Sequence, residues 1–189
     1  ISEVNAVLEI DETDHVKNHH LFDDKKEQDL YNMSTDIFVV DTPWLIEKLE
    51  IEAQKEFPQK LRYVLRDLAA QEKAFAYEYT GYLANIHSVT SYFNANIDML
   101  DSQKFYSLFS PNQKIYTKVK NEEPTYYAVG SKVSNAQFAS GSIIEGEVSG
   151  SVISRNTRIK KGSRVKNSIL FPRVLIGENA VVEYVILDK

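Results

Sequence analysis

The side chains able to do chemistry fall into two groups. His15, His19 and His20 lie among Asp11, Glu12, Asp14, Asp23 and Asp24, nitrogen and oxygen donors that could be drawn as a metal cluster. The stretch from Asp11 to Asp29 is charged and polar and reads as a loop, with no rigid support to hold ligands in place, so no metal site is expected there. The second group is basic. From residue 129 onward, nine basic residues (Lys132, Arg155, Arg158, Lys160, Lys161, Arg164, Lys166, Arg173, Lys189) face five acidic ones (Glu145, Glu147, Glu178, Glu183, Asp188). That region carries about +4 and, for a net charge of −5, leaves about −9 on the rest. A basic region beside an acidic one could bind phosphate-bearing ligands or dock on its neighbour; solvated cations are the plainer reading.

Composition removes several chemistries. The absence of cysteine excludes disulfides, thiolate metal sites and cysteine nucleophiles. All four histidines lie at or before His87. The basic C-terminal region therefore has neither a histidine general base nor the three histidines of a zinc site. Its cations are not interleaved with stacking aromatics, and the chain is acidic overall, which argues against nucleic acid. No apolar run is long enough to span a bilayer and no basic-then-apolar signal opens the chain, so a cytoplasmic protein is expected.

The basic residues sit within a repeat. Val133, Phe138, Ile143, Val148, Ile153, Ile159, Val165, Leu170, Ile176, Val182 and Leu187 follow one another at steps of five or six. That is neither a helical period nor strand alternation. One inward aliphatic per roughly six residues, with small, polar and turn residues between, predicts a hexapeptide β-helix over residues 130–189. The chain starts at Ile1 and ends just after the apolar run Val185 to Leu187 with no capping element in view, so a piece of a longer protein is expected.

The preceding residues read differently. Alternation of Val4, Ala6, Leu8 and Ile10 predicts a strand, and Ile37 to Val40 a short buried one. Thr42 and Pro43 mark a helix start, with Trp44, Leu45, Ile46, Leu49 and Ile51 on its apolar side. Leu61, Val64, Leu65 and Leu68 make the stripe of a second helix over residues 61–71. Residues 74–86 return to alternation and aromatics, a strand, and Ser88 opens a helix through Leu100. This is α/β material over residues 1–110, joined by a linker at 111–129 to the repeats.

Together these stretches resemble one family. Gly81-Tyr82-Leu83-Ala84-Asn85-Ile86-His87-Ser88, then Ser91-Tyr92-Phe93-Asn94-Ala95-Asn96-Ile97-Asp98-Met99-Leu100, is similar to the G-Y-W-x-D-x-G-T and Y-x-x-A-N-x-x-L-L passage of glucose-1-phosphate adenylyltransferases (ADP-glucose pyrophosphorylases). Ile115-Tyr116-Thr117, Ser142 to Val148, Ser151-Val152-Ile153 and Ile186 to Lys189 resemble that family's linker and left-handed β-helix. The resemblance implies part of a Rossmann-like nucleotidyltransferase domain, then a left-handed parallel β-helix of hexapeptide repeats.

The departures from the family pattern bear on activity. In catalytic members the aspartate of G-Y-W-x-D holds Mg²⁺, which neutralises developing phosphate charge; here the position is Asn85, an amide without charge. The sugar-lining S-M-G segment corresponds to Met33-Ser34-Thr35, and no E-K-P element precedes Asn32. The family's glycine-rich triphosphate loop and its first metal-binding aspartate belong to a half not present here, so neither substrate would be aligned for attack. The resemblance thus points to the GlgD-type, non-catalytic branch, a regulatory or assembly subunit that partners a Mg²⁺-dependent catalytic subunit, in a homo- or hetero-oligomer, and itself carries no cofactor. Arg155, Arg158, Lys160, Lys161, Arg164 and Arg173 are its candidate contacts to a sugar-phosphate or nucleotide effector. The alternatives are an adenylyltransferase active at full length and a hexapeptide-repeat acyltransferase, the latter opposed by the missing histidine.

Overall fold

A computed structural model describes residues 6–21, 31–110, 112, 114–118 and 120–189. The chain forms two compact units, Ile1–Tyr79 and Thr80–Lys189. The sequence places its own boundary later, at 111–129, where the repeats begin.

In the first unit, β1 (Ala6–Ile10) and β2 (Val16–Leu21) pair antiparallel, with a register irregularity at Glu9 and Ile10. The segment after β2 lies along the other edge of β1. Leu8 N donates to Asn32 O at 2.8 Å, Ser34 N donates to Ala6 O at 2.8 Å, and Val7 bridges Met33. Helix α1 (Thr42–Ala53) is capped by Asp41, whose carboxylate accepts from Trp44 N at 3.1 Å, so the cap falls one residue before the expected Thr42. Helix α2 (Leu61–Gln71) follows the predicted span and packs on β2. Ala6, Val7, Val16, Val64 and Leu65 make the small core.

Three expectations fail here. The loop expected over residues 11–29 is in part β2: backbone pairing with β1 builds a strand from a sequence with one buried apolar residue, Val16, so hydropathy gave no sign of it. Ile37–Val40 is not a strand, and Ile37 and Val39 are 80% and 99% exposed. Residues 74–86 likewise form no strand beyond a single bridge between His15 and Phe75. A strand needs a neighbour for its backbone groups along its whole length; residues 74–76 find one, Val16 N donating to Ala74 O at 3.0 Å and Ala76 N to Asp14 O at 2.7 Å, but the pairing goes no further than that bridge.

The second unit begins with α3 (Val89–Asp98), entered through a capping box in which the side chains of Ser88 and Ser91 bond each other's backbone N–H groups. A short helix not foreseen from the sequence, α4 (Ser102–Leu108), starts at Asp101, whose carboxylate accepts from Gln103 N and Lys104 N.

The repeats then wind into a parallel β-solenoid of about four turns with three faces. One face holds β3 (Tyr126–Tyr127), β6 (Ile143–Ile144), β9 (Arg158–Ile159) and β12 (Leu175–Ile176). The second holds β4 (Lys132–Ser134), β7 (Glu147–Ser149), β10 (Arg164–Lys166) and β13 (Val181–Glu183). The third holds β5 (Gln137–Phe138), β8 (Val152–Ile153), β11 (Ile169–Leu170) and β14 (Ile186–Leu187).

Ile144, Val148, Ile153, Ile159, Val165, Leu170, Val174 and Ile176 fill the interior. The inward residue of β6 is thus Ile144 rather than the expected Ile143. Serine and threonine also stack inside, where their hydroxyls serve backbone groups at the corners. Thr157 Oγ1 donates to Ser154 O at 2.9 Å, while Ser142 Oγ accepts from Thr157 N at 3.2 Å. Ser151 Oγ accepts from Ser168 N at 3.0 Å. Each satisfies a polar group that burial would otherwise penalise. The corners turn through left-handed residues, including Asn135, Gly150 and Asn167 in one stack. Gly150 is required there: its φ is +56°, and a Cβ would collide with the Asn167 side chain of the next turn. Outside the third face, Ile169 is only 2% exposed, Gln137 Nε2 donates to Met99 O at 2.6 Å, and Tyr92 of α3 meets Phe171 edge-on at 6.2 Å.

Candidate functional site

The histidines do not converge. On β2, consecutive side chains leave opposite faces. His19 Nε2 lies 3.0 Å from Asp67 on α2, while His20 Nδ1 lies 3.5 Å from Glu9 on β1. His15 sits apart, tilted against the Phe75 ring at 5.5 Å. Lys17, hydrogen-bonded to Asp11, holds that carboxyl well below the usual range. Among the described residues, no three acidic, histidine or cysteine side chains are grouped to hold a metal ion.

Met33, Ser34 and Thr35 follow the edge of β1. Ser34 is held by its backbone and by a 3.2 Å hydrogen bond from its hydroxyl to Asp36. Asp36, at φ +56°, accepts twice from Arg66, at 2.7 and 2.6 Å. The guanidinium is 5% exposed, so this fork is a tie between the segment and α2. Asn85 lies in an exposed, irregular segment, and its carbonyl oxygen is 3.1 Å from His87 Nδ1. An uncharged amide, with no acidic cluster among the described residues, does not fit a Mg²⁺ ion.

The six cations are distributed around the solenoid. Arg158 projects from the first face and Arg164 from the second; Lys160 and Lys161 flank the corner joining those faces. Arg164 and Lys132 bracket Glu147, at 3.4 and 2.7 Å, and the bond from Lys132 is the main cause of that carboxyl's lowered pKa. Arg155 and Arg173 come together at the corner joining the third and first faces, in successive turns, where Arg173 N donates to Arg155 O at 2.9 Å.

That corner opens into a hollow of about 510 Å³, lined by Lys120, Glu122, Asn156, Phe171 and Asp188 besides the two arginines. Three donors converge there on one carboxylate. Glu122 receives Ser140 Oγ at 3.1 Å and Asn156 Nδ2 at 3.4 Å, and Arg155 Nε lies 3.4 Å away. Glu122, Ser140 and Asn156 were not singled out from the sequence. The coil length could have found Asn156: pairing partners recur 15 or 17 residues apart, as Ile143 with Arg158 and Arg158 with Leu175, which aligns Gly141, Asn156 and Arg173 in one left-handed corner stack.

These features define the C-terminal part of the chain as a hexapeptide-repeat solenoid, and residues 117–189 match the family model described as GlmU-like, C-terminal hexapeptide. Beyond the repeats, the chain is similar to the glycogen biosynthesis protein GlgD of Bacillus subtilis (strain 168). The two are 36% identical over 113 residues, 60% of this chain and 33% of the relative. It is also similar to the glucose-1-phosphate adenylyltransferases of Bacillus mycoides (strain KBAB4) and Bacillus cereus (strain ATCC 10987), 31% identical in each case over 161 residues, 82% of this chain and 42% of the relative. The resemblance read from residues 81–100 and the repeats is therefore shared with real relatives. The match spans less than half the length of each of them.

Proposed function

We propose that this chain is part of a glycogen-biosynthesis subunit that regulates or assembles a glucose-1-phosphate adenylyltransferase and is itself non-catalytic. The observation that carries the reading is Asn85, an uncharged residue where the family's metal-binding aspartate would stand. Similarity to GlgD supports it. In this reading residues 1–110 are a portion of a Rossmann-like nucleotidyltransferase domain, and the solenoid is left-handed. The partner is a cytoplasmic catalytic subunit that supplies the Mg²⁺ site, and the effector is a sugar phosphate or nucleotide. Arg155 and Arg173 are its contacts, since these two of the six cations line one hollow together.

A second reading is that the intact protein makes ADP-glucose by itself. The similarity to adenylyltransferases covers 82% of this chain, against 60% for GlgD, which favours it. Mixing the intact protein with a catalytic subunit from the same source separates the two. Regulation or assembly predicts co-migration by mass and a changed rate of ADP-glucose synthesis on mixing; two proteins that neither associate nor alter each other's rate would exclude it.

A further inference from the structure

The hollow beside Arg155 and Arg173 already contains an anion, contributed by the chain. Glu122 reaches it from the segment leading into the solenoid, and only its side chain lies among the three donors. The donors themselves are fixed. Asn156 occupies a left-handed corner, φ +58°, where its N donates to Ser140 O at 3.2 Å, so the Asn156 amide and the Ser140 hydroxyl are anchored by one backbone bond. The segment carrying Glu122 is tied down on its C-terminal side by Gly141 N donating to Glu123 O at 2.6 Å and Thr125 Oγ1 donating to Ala139 O at 2.8 Å. Arg173 lines the same hollow and makes no side-chain ion pair among the described residues.

We propose that this corner is an exchange site for phosphate monoesters whose resident is Glu122, so that a ligand enters by displacing the carboxylate and releases residues 120–122. A carboxylate offers one charge and two oxygens. A phosphate monoester offers −1.5 to −2 charges and three acceptor oxygens, and an arginine fork suits it. Ser140, Asn156 and Arg155 can therefore pass from one anion to the other, while Arg173 and Lys120 engage only the larger charge. The inference rests on the phosphate-site reading of Arg155 and Arg173 and is independent of any catalytic partner.

Titration of the chain with inorganic phosphate and with phenyl phosphate, by calorimetry at constant ionic strength, tests it. Glu122→Gln keeps the size and a hydrogen-bonding oxygen but removes the resident charge; it is expected to bind both probes about tenfold more tightly, the effect of relieving one competing charge-assisted contact. Arg173→Ala is expected to lose at least tenfold. Trypsin cleavage after Lys120 should accelerate when phosphate is added to the unsubstituted chain and should already be fast in Glu122→Gln. Equal affinities for the unsubstituted chain and Glu122→Gln would overturn the exchange. Absence of binding to either, or unchanged binding in Arg173→Ala, would overturn the phosphate site itself.

Discussion

The solenoid and the first unit treat the same kinds of side chain in opposite ways. Ile144, Val148, Ile153, Ile159 and Val165 are at most 1% exposed, whereas Ile37, Val39 and Tyr77 are 80%, 99% and 92% exposed. Each turn of the solenoid supplies its neighbour with both apolar filling and a strand partner, so burial follows from a short repeated pattern. The segments around Ile37 and Tyr77 have the composition of strands but are not built into a sheet, the second making only a single bridge at Phe75. An apolar, β-branched sequence therefore specifies burial only when the structure also provides a neighbouring strand.

The contrast can be broken or sharpened by substitution. Ile159→Ala should cost about 2–5 kcal/mol, since it leaves a cavity in a closed interior. Urea unfolding followed by far-ultraviolet circular dichroism would measure it, and a cost near zero would contradict the packed interior. In the first unit, Arg66→Ala should cost about 1–3 kcal/mol, discounted from a fully buried pair because Asp36 is partly exposed. Trp44, the single tryptophan, lies in α1 and makes fluorescence a reporter of this unit alone.

Gly150→Ala should cost about 1–2 kcal/mol from its left-handed conformation, with the Asn167 collision adding to it. Acid should have a smaller effect. Hydrogen bonds from Lys104 and Tyr82 lower the Asp98 pKa, so its contribution is complete above the ordinary aspartate pKa of ~3.9 and is lost as pH falls through the lower folded value. Asp98→Asn should flatten that part of the stability–pH curve below about pH 4. Val39→Ala should change stability by less than about 0.5 kcal/mol, the range of exposed substitutions. A larger loss would mean that the exposed segment is covered in the protein as studied.

Much of the solenoid was legible because its signal repeats. The five-to-six spacing places most inward residues; it slips at Ile143 for Ile144, where adjacent isoleucines satisfy the spacing equally well, and at Val133, which is 42% exposed on the first turn. The apolar stripe disclosed α2 and the Ser88 cap disclosed α3, but α4 spans only seven residues and was missed despite Asp101. β2 was hidden because backbone pairing, invisible in hydropathy, defines it. Of the candidate cations, only the coil geometry distinguishes Arg155 and Arg173 from those on other faces. Glu122 is found solely by its three converging partners.

The measurement closest to the central claim is ADP-glucose synthesis by the intact protein alone, from glucose 1-phosphate and ATP with Mg²⁺, beside the same assay with a catalytic subunit added. With Asn85 at the metal position, the account predicts no synthesis alone and a changed rate in the mixture. Synthesis by the protein alone at the rate of a glucose-1-phosphate adenylyltransferase would contradict it.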